Sequence, residues 1–223
     1  MWCIAPSENA EFVCAMENVL ETYRKPYDPK RPVVCMDETS KQLVKETRTP
    51  MACAPGRPPR FDSEYERNGV ANIFLFCEPL RGRRHVEVTE RRTKKDWAQQ
   101  IQRLVDEQYP LAEKITLVMD NLNTHRLSSL YQTFRPAEAR RLVEKLELVY
   151  TPKHGSWLNI AEIEFAVMNK QCISGRIEDA QTLGNQLAAW ETDHNNASRI
   201  VDWQFTTTDA RTKLRRLYPQ TSI

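Results

Sequence analysis

Three carboxylates in this 223-residue chain stand where side chains can reach a reacting group: Asp37, Asp120 and Glu162. Asp37 ends the apolar run Pro32-Val33-Val34-Cys35-Met36 and Asp120 ends Ile115-Thr116-Leu117-Val118-Met119. Glu162 falls in the first turn of a helix expected after Trp157-Leu158-Asn159. Hard anionic oxygens on rigid elements suit Mg²⁺. Two such cations held ~3.5–4 Å apart stabilise both the attacking and the leaving oxygen of an in-line displacement at phosphorus, so the trio reads as a metal site for phosphodiester chemistry. Taken singly, each has a plainer reading: either aspartate as a turn or cap residue, Glu162 as a carboxylate favoured by the helix dipole.

The elements that must gather these residues are read from the hydrophobic pattern. Ser7 to Tyr23 carries Phe12, Val13, Met16, Val19 and Leu20 at helical spacing behind a Ser7-Glu8-Asn9 start. Residues 32–37 read as a strand that pairs with a second, 42–47, through a turn at Thr39-Ser40. From Thr49 to Arg67, Pro50, Pro55, Pro58, Pro59 and Gly56 exclude continuous helix or central strand, leaving a long loop that carries Arg57 and Arg60. Strands follow at Val70 to Cys77 and His85 to Thr89, then a helix from Thr93 to about Tyr109-Pro110 with Trp97, Ile101, Leu104 and Val105 on one face. The strand ending at Asp120, a helix over about 136–146, a short strand Leu148-Val149-Tyr150 and a helix over 159–172 complete the series. In that last helix Ile163, Phe165, Ala166 and Val167 are expected to be partly buried. Strands first, then alternating helices and strands, imply an α/β fold on a mixed sheet.

Composition sets limits. Hydrophobic residues at 40% are enough for a core, and 28% charged residues with 13 Pro against 6 Gly describe a mixed, proline-punctuated domain. No apolar run approaches membrane-spanning length, and the amino terminus has no basic region ahead of an apolar stretch, so a cytoplasmic protein is expected. The six cysteines form no C-x-x-C pair and read as reduced thiols. Net charge is only +2, yet residues 81–95 hold seven basic and two acidic residues, and 206–223 four basic and one acidic. Each cluster reads as a solvated face or as a phosphate-binding surface.

The sequence around the carboxylates narrows the choice. Met36-Asp37-Glu38-Thr39-Ser40, Val118-Met119-Asp120-Asn121-Leu122-Asn123-Thr124-His125 and Pro152-Lys153-His154-Gly155-Ser156-Trp157-Leu158-Asn159-Ile160-Ala161-Glu162 resemble, in order, the signature blocks of DDE-type transposases of the mariner superfamily. They are most similar to the bacterial insertion-sequence-630 family, as is the tail from Asp202-Trp203-Gln204-Phe205 through Lys213-Leu214. The resemblance implies a ribonuclease-H-like catalytic domain, a mixed sheet flanked by helices, over 32–177, with a leading helix in 1–31 and a helical extension in 178–223. It makes Asp37, Asp120 and Glu162 both the catalytic residues and the ligands of Mg²⁺, with Mn²⁺ as substitute and two ions bound. Glu164 is the rival for the last place, but two residues along a helix turn it about 200° away. This chain has Ile160-Ala161 where many relatives carry a proline. Glu38 points away from Asp37 if the segment is extended, as an outer-sphere or surface group.

The implied reaction is hydrolysis at transposon ends followed by attack of the freed 3′-hydroxyl on target DNA, in a bacterial, nucleoid-associated protein. DNA contacts are expected from Arg57, Arg60, Arg91, Arg92, Lys94, Lys95 and Lys153. His125 and His154 are expected to contact phosphate, to order the site or to play a plain hydrogen-bonding role, and Trp157 either to stack on a base or to anchor its loop. Full-length relatives carry helix-turn-helix modules for which the residues before Pro32 leave no room. A catalytic half, made as one product of a split reading frame or left as a truncated copy, is therefore expected, with end binding supplied by a separate helix-turn-helix chain; synapsis of two ends leads to the expectation of a homodimer. Two other readings stand beside this one: a structure-selective nuclease of the same fold, and a catalytically silent DNA-binding or dimerising fragment that modulates a complete transposase.

Overall fold

The computed structural model describes residues 8–60 and 62–220; the Ser7 end of the expected leading helix lies outside them. Five strands form one sheet in the order β3-β2-β1-β4-β5: β1 Val33–Glu46, β2 Tyr65–Glu78, β3 Arg83–Thr89, β4 Ile115–Met119 and β5 Leu146–Tyr150. The first three pair antiparallel, and β1-β4 and β4-β5 pair parallel. The helices are α1 Ala10–Tyr23, α2 Lys94–Arg103, α3 Leu127–Thr133, α4 Pro136–Glu144, α5 Ile160–Met168, α6 Ala180–Ala197 and α7 Thr207–Lys213. The expected mixed α/β sheet flanked by helices is observed.

Alternation along the strands builds two cores. Cys35 of β1, Ile73 and Leu75 of β2 and Val118 of β4 face α1, α5, α6 and α7, in a core that takes in Leu20, Ile160, Leu183, Trp190, Ala210 and Leu217. Val34, Met36, Phe74, Phe76, Leu117 and Met119 face the other way, onto Trp97, Ile101, Leu130 and Leu142 of α2, α3 and α4. Because side chains alternate with period two, Asp37 follows Cys35 toward the α5 side and Glu38 follows Met36 toward the α2-α3 side. The residues beyond 178 thus pack into the same core as α1 and α5.

Caps define several helix starts. Asn9 Oδ1 accepts from Phe12 N at 2.9 Å, and Thr93 and Asp96 form a reciprocal capping box at the start of α2. The expected hairpin within 32–47 is corrected: β1 is one strand of 14 residues, with Thr39 opposite Ile73 and Ser40 opposite Asn72 on β2. Thr39-Ser40 lacks the Gly or Asn that a tight hairpin turn requires, and Ser40 Oγ instead donates to Asn72 Oδ1 across the pair at 2.8 Å. Asp37 consequently lies within a strand rather than at its end. The helix expected over 159–172 is α5 extended by a single π-turn, Asn169–Ile173. Its buried face is Ile160, Ala161, Glu164 and Met168; Phe165 and Val167 are half-buried, whereas Ile163 and Ala166 are exposed, contrary to expectation. The reason is Glu164, whose carboxylate turns inward. Cys14, Cys35, Cys53, Cys77 and Cys172 are free thiols; Cys3 lies outside the described residues. No helix among the described residues is long and apolar enough to cross a membrane.

Candidate active site

The parallel register of β1 and β4 brings the two aspartates together. Cys35 is level with Val118, so Asp37 and Asp120, each two residues further on, stand side by side where β4 stops. Crowding is visible in the charge state of Asp37: burial raises its pKa to about 7, with Asp120 and Glu38 adding repulsion, against the relief given by the Glu38 backbone N–H and His125. That N–H donates to Asp37 Oδ1 at 2.8 Å.

Glu162 comes from the opposite direction. Asn159 is fully buried; its Nδ2 donates to the Met36 carbonyl at 2.9 Å, and its Oδ1 accepts from Ala161 N at 3.1 Å. One side chain therefore caps α5 and ties its first turn to the residue preceding Asp37. Glu162 is exposed in that turn; its N–H donates to the Asn159 carbonyl at 3.1 Å, and its carboxylate forms no hydrogen bond or ion pair among the described residues. Glu164 is committed elsewhere: it is buried in a two-pronged pair with Arg84, at 2.9 Å and 2.7 Å. Arg84 also donates to the carbonyls of Gly82 at 2.7 Å and Arg199 at 2.6 Å.

His125 and Glu38 form a network that sequence reasoning left open. His125 is fully buried, so the expected alternative of phosphate contact is corrected in favour of ordering the site. Its Nδ1 lies 2.6 Å from Asp120 Oδ1 and 3.3 Å from the Asp120 carbonyl, with the N–H aligned on the carbonyl; its Nε2 lies 2.7 Å from Glu38 Oε2. Burial disfavours the charged ring, but Asp120 and Glu38 outweigh it and raise its pKa to about 10. The Glu38 side chain is only 4% exposed, which corrects its reading as a surface group. The five-residue spacing from Asp120 to His125 was the available signal. What it lacked was the fold that presents Glu38.

Arg57, Arg60, Arg91, Arg92, Lys94, Lys95, Lys153 and His154 are all exposed. Arg84, in the same basic run as Arg91 and Arg92, is buried and not available to a ligand. His154 adopts φ +64°, just ahead of Gly155, where an added Cβ would meet the Pro152 ring at 2.5 Å. Trp157 is half-buried with its ring 6.0 Å from that of Phe205, an edge-on contact that anchors the loop.

The donor set suits a divalent metal. Among the described residues Asp37 Oδ2 and Asp120 Oδ2 form no hydrogen bond or ion pair, and a hard cation would relieve the burial and neighbouring charge that raise Asp37. Among the described residues no three His, Cys, Asp or Glu side chains already form a metal cage, and Glu162 stands exposed in the first turn of α5.

A five-stranded mixed sheet with this order, flanked by helices, defines a ribonuclease-H-like fold. The chain belongs to the DDE superfamily endonucleases, whose sequence profile matches residues 32–184, more than half its length. Its fold is similar to the catalytic domain of Mos1 mariner transposase, with TM-score 0.57 and 13% identity over 88% of this chain and 90% of that one. It is also similar to the Mos1 paired-end complexes with Mg (TM-score 0.58, 15% identity, 99% and 66% covered) and with Mn (0.56, 14%, 86% and 59%). The chain spans 59% and 57% of the transposase chains in the Mn paired-end and strand-transfer complexes. No curated protein matches.

Proposed function

We propose that this chain is the catalytic domain of a transposase, of the insertion-sequence-630 kind, which cleaves DNA at transposon ends and joins the freed ends to target DNA. The observation that carries the reading is the side-by-side placement of Asp37 and Asp120 at the end of β4, with the start of α5 tied to β1 by Asn159. Asp37, Asp120 and Glu162 would hold two Mg²⁺ or Mn²⁺ ions. Metal held there would supply charge stabilisation at the scissile phosphate and activation of the attacking oxygen of an in-line displacement. The chain's own groups do the rest. Asp37 and Asp120 each keep one carboxylate oxygen unbonded, Asn159 holds the Glu162 turn against β1, and Glu164 is kept out of the site by Arg84. In the first step water attacks phosphorus and a 3′-hydroxyl leaves; in the second that hydroxyl attacks a target phosphodiester, forming a new P–O3′ bond as the target strand's own P–O3′ bond breaks and its 3′-hydroxyl leaves. No imidazole base is needed, and both His125 nitrogens are engaged by Asp120 and Glu38.

Arg57, Arg60, Arg91, Arg92, Lys94, Lys95, Lys153 and His154 would hold the DNA backbone through phosphate contacts, which carry little sequence information. Two copies would bring two ends together, with a helix-turn-helix chain reading their sequence. The mariner complexes, prepared as paired ends with Mn or Mg, support DNA and divalent metal as partners of this fold.

Incubation of the protein with donor DNA carrying the element's ends, target DNA and Mg²⁺ or Mn²⁺ tests the proposal. Joined products that vanish in Asp120→Ala are expected. Cleavage without joining would favour a nuclease of the same fold, and metal-independent DNA retention alone would favour a silent DNA-binding fragment.

A further inference from the structure

We propose that Glu38 and His125 are positioning residues that fix which oxygen of each aspartate is offered to metal, Glu38 acting on Asp37 through its main chain and on Asp120 through the His125 ring. The inference rests on the metal-site reading above.

Three contacts in series carry it. The Glu38 N–H donates to Asp37 Oδ1 at 2.8 Å, Glu38 Oε2 meets His125 Nε2 at 2.7 Å, and His125 Nδ1 meets Asp120 Oδ1 at 2.6 Å. Asp37 Oδ1 thereby accepts a hydrogen bond, and Asp120 Oδ1 is buried in close contact with a ring whose N–H is aligned on the Asp120 carbonyl; among the described residues neither Oδ2 has a hydrogen bond or ion pair. Strand alternation is what permits this. Asp37 and Glu38 are neighbours whose side chains leave opposite faces of β1, so one residue can serve the site while the next reaches the ring behind it.

The ring itself is rigidly seated. It is fully buried, its centroid is 5.9 Å from that of Trp97, and the His125 main-chain carbonyl accepts from Tyr150 Oη at 2.7 Å. With acceptors at both nitrogens the ring donates twice, as an imidazolium does. Its charge balances the buried Glu38 carboxylate, which unpaired would be costly. Groups that orient metal ligands from behind, when removed, commonly weaken metal binding by about 10–100-fold.

Mn²⁺ alone, without DNA, is titrated into the full chain at one fixed neutral pH, and free ion is followed by electron paramagnetic resonance. Glu38→Ala and His125→Gln are each expected to weaken Mn²⁺ binding by about 10-fold or more. Glu38→Gln is expected to stay within about threefold of the wild type: its amide can donate to Nε2 while Nδ1–H still faces Asp120. Folding of each variant is checked by thermal melting. Wild-type Mn²⁺ affinity in folded Glu38→Ala or, should that variant not fold, in His125→Gln, overturns the positioning role. Asp120→Ala is expected to lose tight binding, and unchanged binding there would instead overturn the metal-site reading itself.

Discussion

The site is built from two pairs of acidic residues, and the two pairs solve the same problem by different geometry. On β1, adjacent Asp37 and Glu38 leave opposite faces of a strand; on α5, Glu162 and Glu164 lie about 200° apart on a helix. In each pair one carboxylate is buried against a basic side chain, Glu38 on His125 and Glu164 on Arg84, and the other is the one proposed to hold metal. They differ in where the cation leads. His125 reaches back to Asp120, so the strand pair closes a loop within the site. Arg84 reaches out to the carbonyls of Gly82 and Arg199, and its own backbone is bracketed by Asn195 at 2.7 Å and 2.8 Å. The helix pair is therefore anchored to the end of α6. Proximity in sequence alone does not separate a reactive carboxylate from a structural one; the partner does.

Exchanging the roles is the strongest way to break the comparison. Glu162→Ala is expected to lower DNA cleavage on the order of 10³-fold with unchanged melting, because it removes charge stabilisation at the reacting phosphate. If Glu164→Ala melts normally and loses cleavage while Glu162→Ala does not, the two assignments are reversed. For the structural member, Glu164→Ala or Arg84→Ala strands a buried charge and should cost about 3–5 kcal/mol in denaturant unfolding. The double change Arg84→Met with Glu164→Leu should recover much of that loss; no recovery would mean that the carbonyl contacts of Arg84, rather than the pair, hold the segment.

A smaller effect follows from the titration of Asp37. Its folded pKa of about 7 lies above that of an exposed carboxylate, so the folded state holds the proton longer. Stability of the metal-free protein should therefore fall as pH rises from about 4 toward 7 and stay lower above it. Asp37→Asn should remove this slope and stabilise the metal-free chain by about 1–3 kcal/mol at pH ~8, with little effect near pH 4. His125 has the opposite sign. Its raised pKa, about 10 when folded, contributes stability that is full below about 6.5 and is lost as pH rises through about 10. The smallest expected change is at the surface, where Lys94→Ala or Lys95→Ala should reduce the salt slope of DNA binding by about one unit each without altering its sequence preference.

The placement of these groups was legible in part. Apolar runs ending in Asp37 and Asp120 identified the first part of β1 and β4, and Glu162 in the first turn after Trp157-Leu158-Asn159 marked the start of α5. The continuity of β1 beyond Asp37 was hidden because Thr39 to Ser40 is polar, and only pairing with β2 through Ser40 and Asn72 makes it a strand. The burial of Arg84, Glu38 and His125 was equally hidden, since each is a charged or titratable side chain whose inward turn depends on a partner at least 80 positions away. Periodicity reports which positions face a core. It does not report which charges have found each other.

Anomalous diffraction from crystals grown with Mn²⁺ tests the central claim most directly. A peak coordinated by Asp37, Asp120 and Glu162 is the expected result. A Mn²⁺ bound elsewhere, with those three carboxylates free of metal, would contradict it.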